Sequence, residues 1–381
     1  MATDLPEDIL IDIFSRLPPE SILQFKSVQK SWYILITALV KDPVFVAKNF
    51  HNNKRKGSFL IYKCFEDTNI GSLAICNNGA DNEQRLSYGI QDFKPLFPNR
   101  YRKFLNYSRV GVSHCDGIIC LADYYDGRIL LCNPATREFK LLPTDPCFYE
   151  AKEYRLANVG FGYDSIDDVY KVVCVCAWPS GEFKAHVYTL GNDYTYWRDI
   201  PLKTQIIIGD YHSVRSITTK EVHCNGVCYW LVQDNNAFQQ QMYSFDMHDE
   251  EFRTIPLPDH IENMGYCNAY KLSLTRWNES AVLFFYPPPH WVRKVSIEMW
   301  VLRSWRWTKH QTTVPLRGME KIEAAFYKSD EILIKEKRGL LSYNVLTRKV
   351  RRIYKGDVDR FRACCYYVPS LVSIRRITFD K

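Results

Sequence analysis

The sequence predicts an α+β multidomain chain: a three-helix N-terminal domain, then an all-β propeller of about six blades in which strands from both chain ends share one blade. Three observations lead there. Helical spacing of apolar residues is confined to the first fifty positions. Beyond them, short runs rich in Val, Ile, Tyr and Phe are broken by Gly, Asn, Asp and Pro, the pattern of many short strands. Those runs recur as two alternating kinds of unit, and a repeated supersecondary unit marks a ring or a solenoid.

The first helix opens at "LPED". Pro6 falls in the first turn, where its missing N–H has no partner to lose, and Glu7 and Asp8 set negative charge near the positive end of the helix dipole. Ile9, Leu10, Ile13, Phe14 and Leu17 follow at helical spacing and make a broad apolar face. Pro18-Pro19 ends this helix and starts the next, which carries Ile22, Leu23, Phe25 and Val28. A third helix from about Ser31 carries Trp32, Ile34, Leu35, Ile36 and Leu39. Three short helices cannot bury that much apolar surface alone, and the segment holds no cysteine and no metal-ligand pattern to help. Something else must cover the surplus.

"LPEDILIDIFSRLPPESILQFKSVQKSWYILI" resembles an F-box, with its opening Leu-Pro, Ile/Phe-rich helix, second Leu-Pro and closing Val-x-Lys-x-Trp. Gln24 and Gln29 depart from the residues common in that family, outside the apolar framework. The resemblance implies docking on the Skp-type adaptor of a cullin-based ubiquitin ligase. Carried over by position, Leu5, Pro6, Ile13, Leu17, Val28 and Trp32 are the expected adaptor contacts; each could instead pack the helices together.

After "NFHNNKRKGS" the strands begin. "HCDGIICLADYYDGRILLCNPATREFKLLP" (114–143) lines up with "HCNGVCYWLVQDNNAFQQQMYSFDMHDEEFRTIPLP" (223–258), and residues 326–353 repeat its later part. Between them, 160–202 and 271–316 form a second kind of unit. The alternation calls for a sixth unit, built from 57–90 and 363–374, which closes the ring and leaves no bare sheet edge. "LLCNPATREFKLLP", "GFGYDSIDDVYKVV" and Ser304-Trp305 are similar to the kelch-like F-box-associated domain of plant F-box proteins, including the S-locus F-box group. Members of that group recognise stylar ribonucleases in self-incompatibility, and relatives recognise other proteins. The expected division is 1–48 F-box, 49–57 linker and 58–381 propeller.

Composition narrows the classes. At 46% hydrophobic and 24% charged the chain is globular, and 14% aromatic content favours strands. A modest net charge of +7, with basic clusters at Lys54–Lys56 and Arg348–Arg352, reads as solvated loops rather than a nucleic-acid surface. The acidic N-terminus is no signal peptide, and the apolar run 281–286 stops at three prolines, far short of a membrane span. A cytoplasmic, also nuclear, location follows as the expectation. There the 13 cysteines stay thiols and the Asn106 and Asn278 sequons are accidents.

Catalytic chemistry is not signalled. Cys115/Cys120, Cys174/Cys176, Cys224/Cys228 and Cys364-Cys365 form no CxxC pair, and His114 and His223, at equivalent blade positions, should lie far apart. Cys174 and Cys176 fall on one strand face as small hydrophobes, so no metal and no cofactor are expected. "GFG" at 160–162 opens no helix, and Asp167-Asp168 and Asp249–Glu251 read as turn acids. Trp305 and Trp307 are expected to pack between blades. The reading is a non-catalytic substrate receptor of a Skp–cullin–F-box ligase. Its target site is unknown, with 145–156, 178–185, 204–216, 233–240 and 286–296 as candidate loops. A propeller enzyme and a ubiquitin-independent scaffold are the rivals.

Overall fold

In the computed structural model, the described residues are 5–54, 58–65, 70–76, 90–92, 110–124, 126–150, 155–177, 182–191, 196–202, 221–233, 240–262, 271–286, 297–312, 319–325, 331–336, 339–344, 346–355 and 361–375. No helix among them is long and apolar enough to cross a membrane.

Four helices open the chain, not three: α1 (Glu7–Arg16), α2 (Pro19–Phe25), α3 (Lys30–Leu39) and α4 (Pro43–Asn53). The prolines act as the sequence implies. Pro6 and Pro18 stand just before α1 and α2, and Pro19 is the first residue of α2. α4 begins at Asp42-Pro43, where the Asp42 carboxylate accepts the Val44 N–H at 3.0 Å and Pro43 supplies a preset φ. It runs to Asn53, so most of the linker expected at 49–57 is helix with Asn49 and Asn53 buried.

Six four-stranded antiparallel sheets follow. The first blade takes β1 (Ser58–Phe65), β2 (Ile70–Cys76) and β3 (Ile90–Asp92) from one end of the chain. The second holds β4 (Val110–Cys115), β5 (Ile118–Asp123), β6 (Ile129–Asn133) and β7 (Glu138–Leu141). The third holds β8 (Arg155–Asp164), β9 (Val169–Ala177), β10 (Phe183–Thr189) and β11 (Arg198–Ile200). The fourth holds β12 (Glu221–Cys224), β13 (Val227–Gln233), β14 (Gln240–Asp246) and β15 (Phe252–Ile255). The fifth holds β16 (Lys271–Trp277), β17 (Ser280–Tyr286), β18 (Glu298–Arg303) and β19 (Arg306–Thr312). The sixth holds β20 (Met319–Ala325), β21 (Glu331–Glu336), β22 (Gly339–Asn344) and β23 (Val350–Lys355). Last, β24 (Phe361–Tyr367) returns to the first blade and pairs with β1, from Ser58 opposite Tyr367 to Lys63 opposite Phe361. The innermost strands β4, β8, β12, β16, β20 and β24 touch in sequence and close the ring. Terminal strands therefore share a blade, as the repeats require.

Side-chain alternation explains the apolar runs. On β9, Val172, Cys174 and Cys176 pack with the second blade, while Val173, Val175 and Ala177 pack with the fourth. A strand covered on both faces reads as continuous hydrophobicity, which is why "YKVVCVCA" shows no polar face. Cys174 and Cys176 do share one face.

Two turn devices recur. Asp116-Gly117, Asn225-Gly226, Asn278-Glu279 and Ser304-Trp305 all have positive φ and join their strands as two-residue hairpins whose twist suits the sheet. The second device is a side-chain turn. Asn133, Asp164, Asp246 and Asn344 each accept, on one side-chain oxygen, the N–H groups two and three residues on. Each such loop ends on a positive-φ residue, Arg137, Asp168, Glu250 or Arg348. These loops are the repeated "NPATR", "DSIDD", "DMHDE" and "NVLTR".

Two expectations fail. His114 and His223 are not far apart, because β4 and β12 approach across a narrow channel. Burial, the Arg276 charge and His114 together push His223 down to about 3, so it is neutral. Trp305 is not buried between blades: it tips a hairpin of the fifth blade, 45% exposed, and meets the Arg253 guanidinium of the fourth 5.3 Å from its ring. Trp307 does pack between the fourth and fifth blades and donates to the Pro256 carbonyl at 2.8 Å.

The third and fourth blades are tied by a buried ammonium. Lys171 Nζ lies 3.0 Å from Asp164, 3.1 Å from Glu250 and 2.6 Å from the Met247 carbonyl. Burial opposes ionisation of Asp164, but the Lys171 bond and two backbone N–H groups outweigh it and hold the carboxyl at about 2. Removing the cation leaves a buried carboxylate uncompensated, so Lys171→Met should cost about 3–5 kcal/mol in urea unfolding. Since the folded pKa lies below the unfolded one, the stability from Asp164 is complete above about pH 4 and is lost as pH falls toward 2. Asp164→Asn should flatten that acid limb, and an unchanged limb would contradict the assignment.

Candidate functional site

Pro18 and Pro19 create a problem for α1 that α4 solves. Neither proline has an N–H to give the Phe14 or Ser15 carbonyl; the Leu17 N–H reaches the Phe14 carbonyl at 3.1 Å, which leaves the Ser15 carbonyl in need of a donor. Asn49 Nδ2 supplies one, 3.1 Å from the Ser15 carbonyl, and reaches the Leu17 carbonyl at 2.8 Å. Asn52 donates to Ser15 O and Asn53 to Leu17 O, both at 3.1 Å. On the outer side, Asp12 accepts from Lys48 at 3.0 Å and pairs with Arg16, and the Lys48 bond leads in holding its carboxyl below the usual range.

Inside this frame the core is small: Phe14, Ile22, Ile36, Leu39 and Phe45, with the Trp32 ring edge-on to Phe14 at 5.3 Å and to Phe25 at 5.6 Å. A sixth buried member is Leu371, from beyond β24. The apolar face of α1 thus divides. Phe14 turns inward, while Leu5, Ile9 and Ile13, four residues apart, remain exposed. Val28, Tyr33, Ile34 and Val44 are exposed as well.

The structure sorts the six expected adaptor contacts. Leu5, Pro6, Ile13 and Val28 lie on the surface. Leu17 and Trp32 are half-buried against the core, so much of their surface holds the helices together. Ile9, Tyr33, Ile34 and Val44 are exposed too but are not among the six expected contacts. For Ile9 the i+4 spacing to Ile13 is the signal that could have found it.

The helices are held on one face of the ring. Lys54 Nζ, just past α4, lies 3.2 Å from Glu279 in the turn between β16 and β17, and Glu279 also pairs with Arg276. Asn225, in the β12–β13 turn, donates to the Glu279 carbonyl at 3.0 Å. After β24, Ser370 and Val372 offer their carbonyls to Asn133 Nδ2 at 3.1 and 2.7 Å, and the Ile374 N–H donates to Glu138 at 2.6 Å. Ser370 passes so close to Gly117 that a Cβ there would stand 2.6 Å from the Ser370 Cβ, and the φ of +78° would strain any side chain as well.

Antiparallel connectivity then assigns the loops. The hairpin turns at 116–117, 225–226 and 278–279, and the ends Ser58 and Tyr367, share the helix-bearing face. The strand ends flanking the five candidate target loops, such as Ala177, Phe183, Gln233, Gln240 and Tyr286, open on the opposite face. Residues 204–216 and most of the other four loops lie outside the described residues. Asp145 and Cys147, at the start of one of them, are buried.

Residues 66–351 match the family described as F-box associated beta propeller domain, and residues 2–45 match the F-box-like family. The chain belongs to the F-box-associated β-propeller family. F-box protein At3g57590 of Arabidopsis thaliana is 24% identical over 82% of this chain and 72% of its own length. F-box protein At3g47030 of the same plant is 24% identical over 70% of this chain and 59% of its own. Among solved structures, a chain of the nidogen/laminin complex has a TM-score of 0.45 at 11% identity, covering 82% of this chain and 99% of that one. TolB from Acinetobacter baumannii has a TM-score of 0.43 at 11% identity, covering 86% of this chain and 73% of that one. Those two likenesses say nothing of function.

In this F-box-associated protein the weak point of the joint is Leu371. Replacing it with alanine empties a fully buried site in the helical core, at an expected cost of about 2–5 kcal/mol. Amide exchange should quicken throughout α1–α4 and stay unchanged in β9 and β13. Unchanged exchange in the helices would contradict the role.

Proposed function

We propose that this chain is the substrate-recognition subunit of a Skp–cullin–F-box ubiquitin ligase, binding a Skp-type adaptor through α1–α3 and a protein target through the propeller. The observation that carries the adaptor reading is the exposed apolar set. Of the 13 large apolar side chains exposed among the described residues, seven lie in the first 44 positions: Leu5, Ile9, Ile13, Val28, Tyr33, Ile34 and Val44. A domain with so small a core gains nothing by displaying them to water. Covering each half-exposed side chain contributes about 1–1.5 kcal/mol. The set together matches the scale of what association costs, about 4–15 kcal/mol.

The receptor does no covalent chemistry in this reading. It raises the local concentration of target lysines near the ubiquitin-conjugating enzyme, and that works best when the adaptor site and the target site keep a fixed relation. The Leu371 insertion and the Lys54–Glu279 pair support such a fixed relation. With the helices on one face, the target falls to the other, where the candidate loops open. Cytosol and nucleus are the compartments where this machinery acts. The S-locus resemblance makes stylar ribonucleases one target class; affinity purification from pollen and from leaf, with the proteasome blocked, tests them against other proteins.

Ile9 and Ile13 are exposed, so Ile9→Arg with Ile13→Arg should leave the fold intact. Adaptor affinity should fall at least about 100-fold, the scale of losing an interface hot spot. Leu5→Ala with Pro6→Ala should weaken binding in the same direction. Titration calorimetry with purified adaptor reads both, and full affinity in a folded double variant overturns the adaptor reading.

A further inference from the structure

Between the second and third blades, close to the face away from the helices, four side chains of metal-binding type converge. They are Asp145 and Cys147, in the connection that leaves β7, Cys176 near the end of β9, and His186 on β10. Each offers one ligand atom, and all four atoms lie within 4.8 Å of one another. All four residues are at least 98% buried. We propose that this quartet is a structural zinc site, with Asp145 O, Cys147 Sγ, Cys176 Sγ and His186 Nδ1 as ligands.

The spacing is close to what a tetrahedral ion needs. Zinc bonds of about 2.3 Å to sulfur and about 2.0–2.1 Å to nitrogen and oxygen place the ligand atoms about 3.3–3.8 Å apart. Here Cys147 Sγ is 3.5 Å from His186 Nδ1 and Cys176 Sγ is 3.9 Å from Asp145 Oδ2. His186 Nδ1 is at hydrogen-bond distance from Asp145 Oδ1, 2.9 Å, a gap the ion would widen by about 0.4 Å. The surroundings fit too. His186 Nε2 lies 2.8 Å from the exposed Asp199 carboxylate, a partner that can hold a proton on Nε2. Nδ1 lies 2.9 and 3.0 Å from the two Asp145 oxygens, so the ion would replace the proton between them. The Cys147 N–H donates to Asp145 Oδ1 at 2.9 Å, which orients the carboxylate with Oδ2 toward Cys176 and His186. Two thiolates and an imidazole select zinc over calcium or magnesium, which prefer oxygen alone. With four protein ligands no coordination position is left for a substrate, so the ion holds structure.

Its binding releases the protons held by the thiols and by His186 Nδ1, with no change of oxidation state. It pins the β7–β8 connection to the third blade beside the opening between β9 and β10. This inference rests on the fold alone, and it stands or falls separately from adaptor binding.

The test uses the full-length chain, purified under reducing conditions without chelator or a metal-affinity step. Elemental analysis should find about one zinc per chain. Exchange for Co2+ should give the ligand-field bands of a tetrahedral ion and a thiolate-to-cobalt charge-transfer band. Cys147→Ser with Cys176→Ser should abolish both, while Cys132→Ser, elsewhere in the second blade, should keep them. The wild-type readings decide even where the double variant fails to fold. A wild-type chain that holds no zinc and shows no cobalt–thiolate band overturns the proposal. So does a Cys147–Cys176 disulfide in chains alkylated at lysis, since it would make the pair a redox couple.

Discussion

The burial of Leu371 in the helical core is the contact on which the arrangement of the two domains depends. Its five buried neighbours come from the first 45 residues, and it arrives from the far end of the sequence. To reach them, the chain must first complete β24 against β1, because the insertion begins only four residues after that pairing ends. Ring closure and domain attachment are therefore successive acts of one segment. The entropy of joining such distant positions grows only with the logarithm of their separation. The backbone ladder and the Asn133 bonds to either side of Leu371 are available to offset it.

Much of the fold was legible because it is written locally. The prolines at 6, 18 and 19 start and stop helices wherever they stand, and a positive-φ hairpin can be read from Asp-Gly or Asn-Gly. The alternating repeats were legible for a similar reason. Asn133, Asp246 and Asn344 fold their loops through their own side chains, so a similar string gives a similar turn in different blades. α4 was missed although Asp42-Pro43 announces it, since its work is tertiary. Its asparagines serve carbonyls more than thirty residues away, and nothing in "AKNFHNN" shows which carbonyls are orphaned.

The site was legible only by half. Apolar spacing on α1 located a sticky face, but which of Ile13 and Phe14 points outward depends on where α2–α4 pack. Trp32, the most conspicuous residue of the segment, sits half-buried with its ring against Phe14 and Phe25 for that reason. The convergence of Asp145, Cys147, Cys176 and His186 had no local signal at all. Its members come from three segments, and the sequence draws attention to Cys174 beside Cys176 instead. Likewise, equal positions in the second and fourth blades suggested that His114 and His223 are remote. A narrow channel brings their strands together.

Having the last ten or so described residues serve both the ring and the helices has a consequence for biosynthesis. A ribosome that stops early, or a protease that trims the C-terminal end, leaves a protein with an open sheet edge and an F-box without its anchor. Such a fragment would lack the contact that fixes the helices to the ring, and its unpaired β1 edge would be open to other chains. The segment from β24 to Leu371 therefore completes both the ring and the helical core.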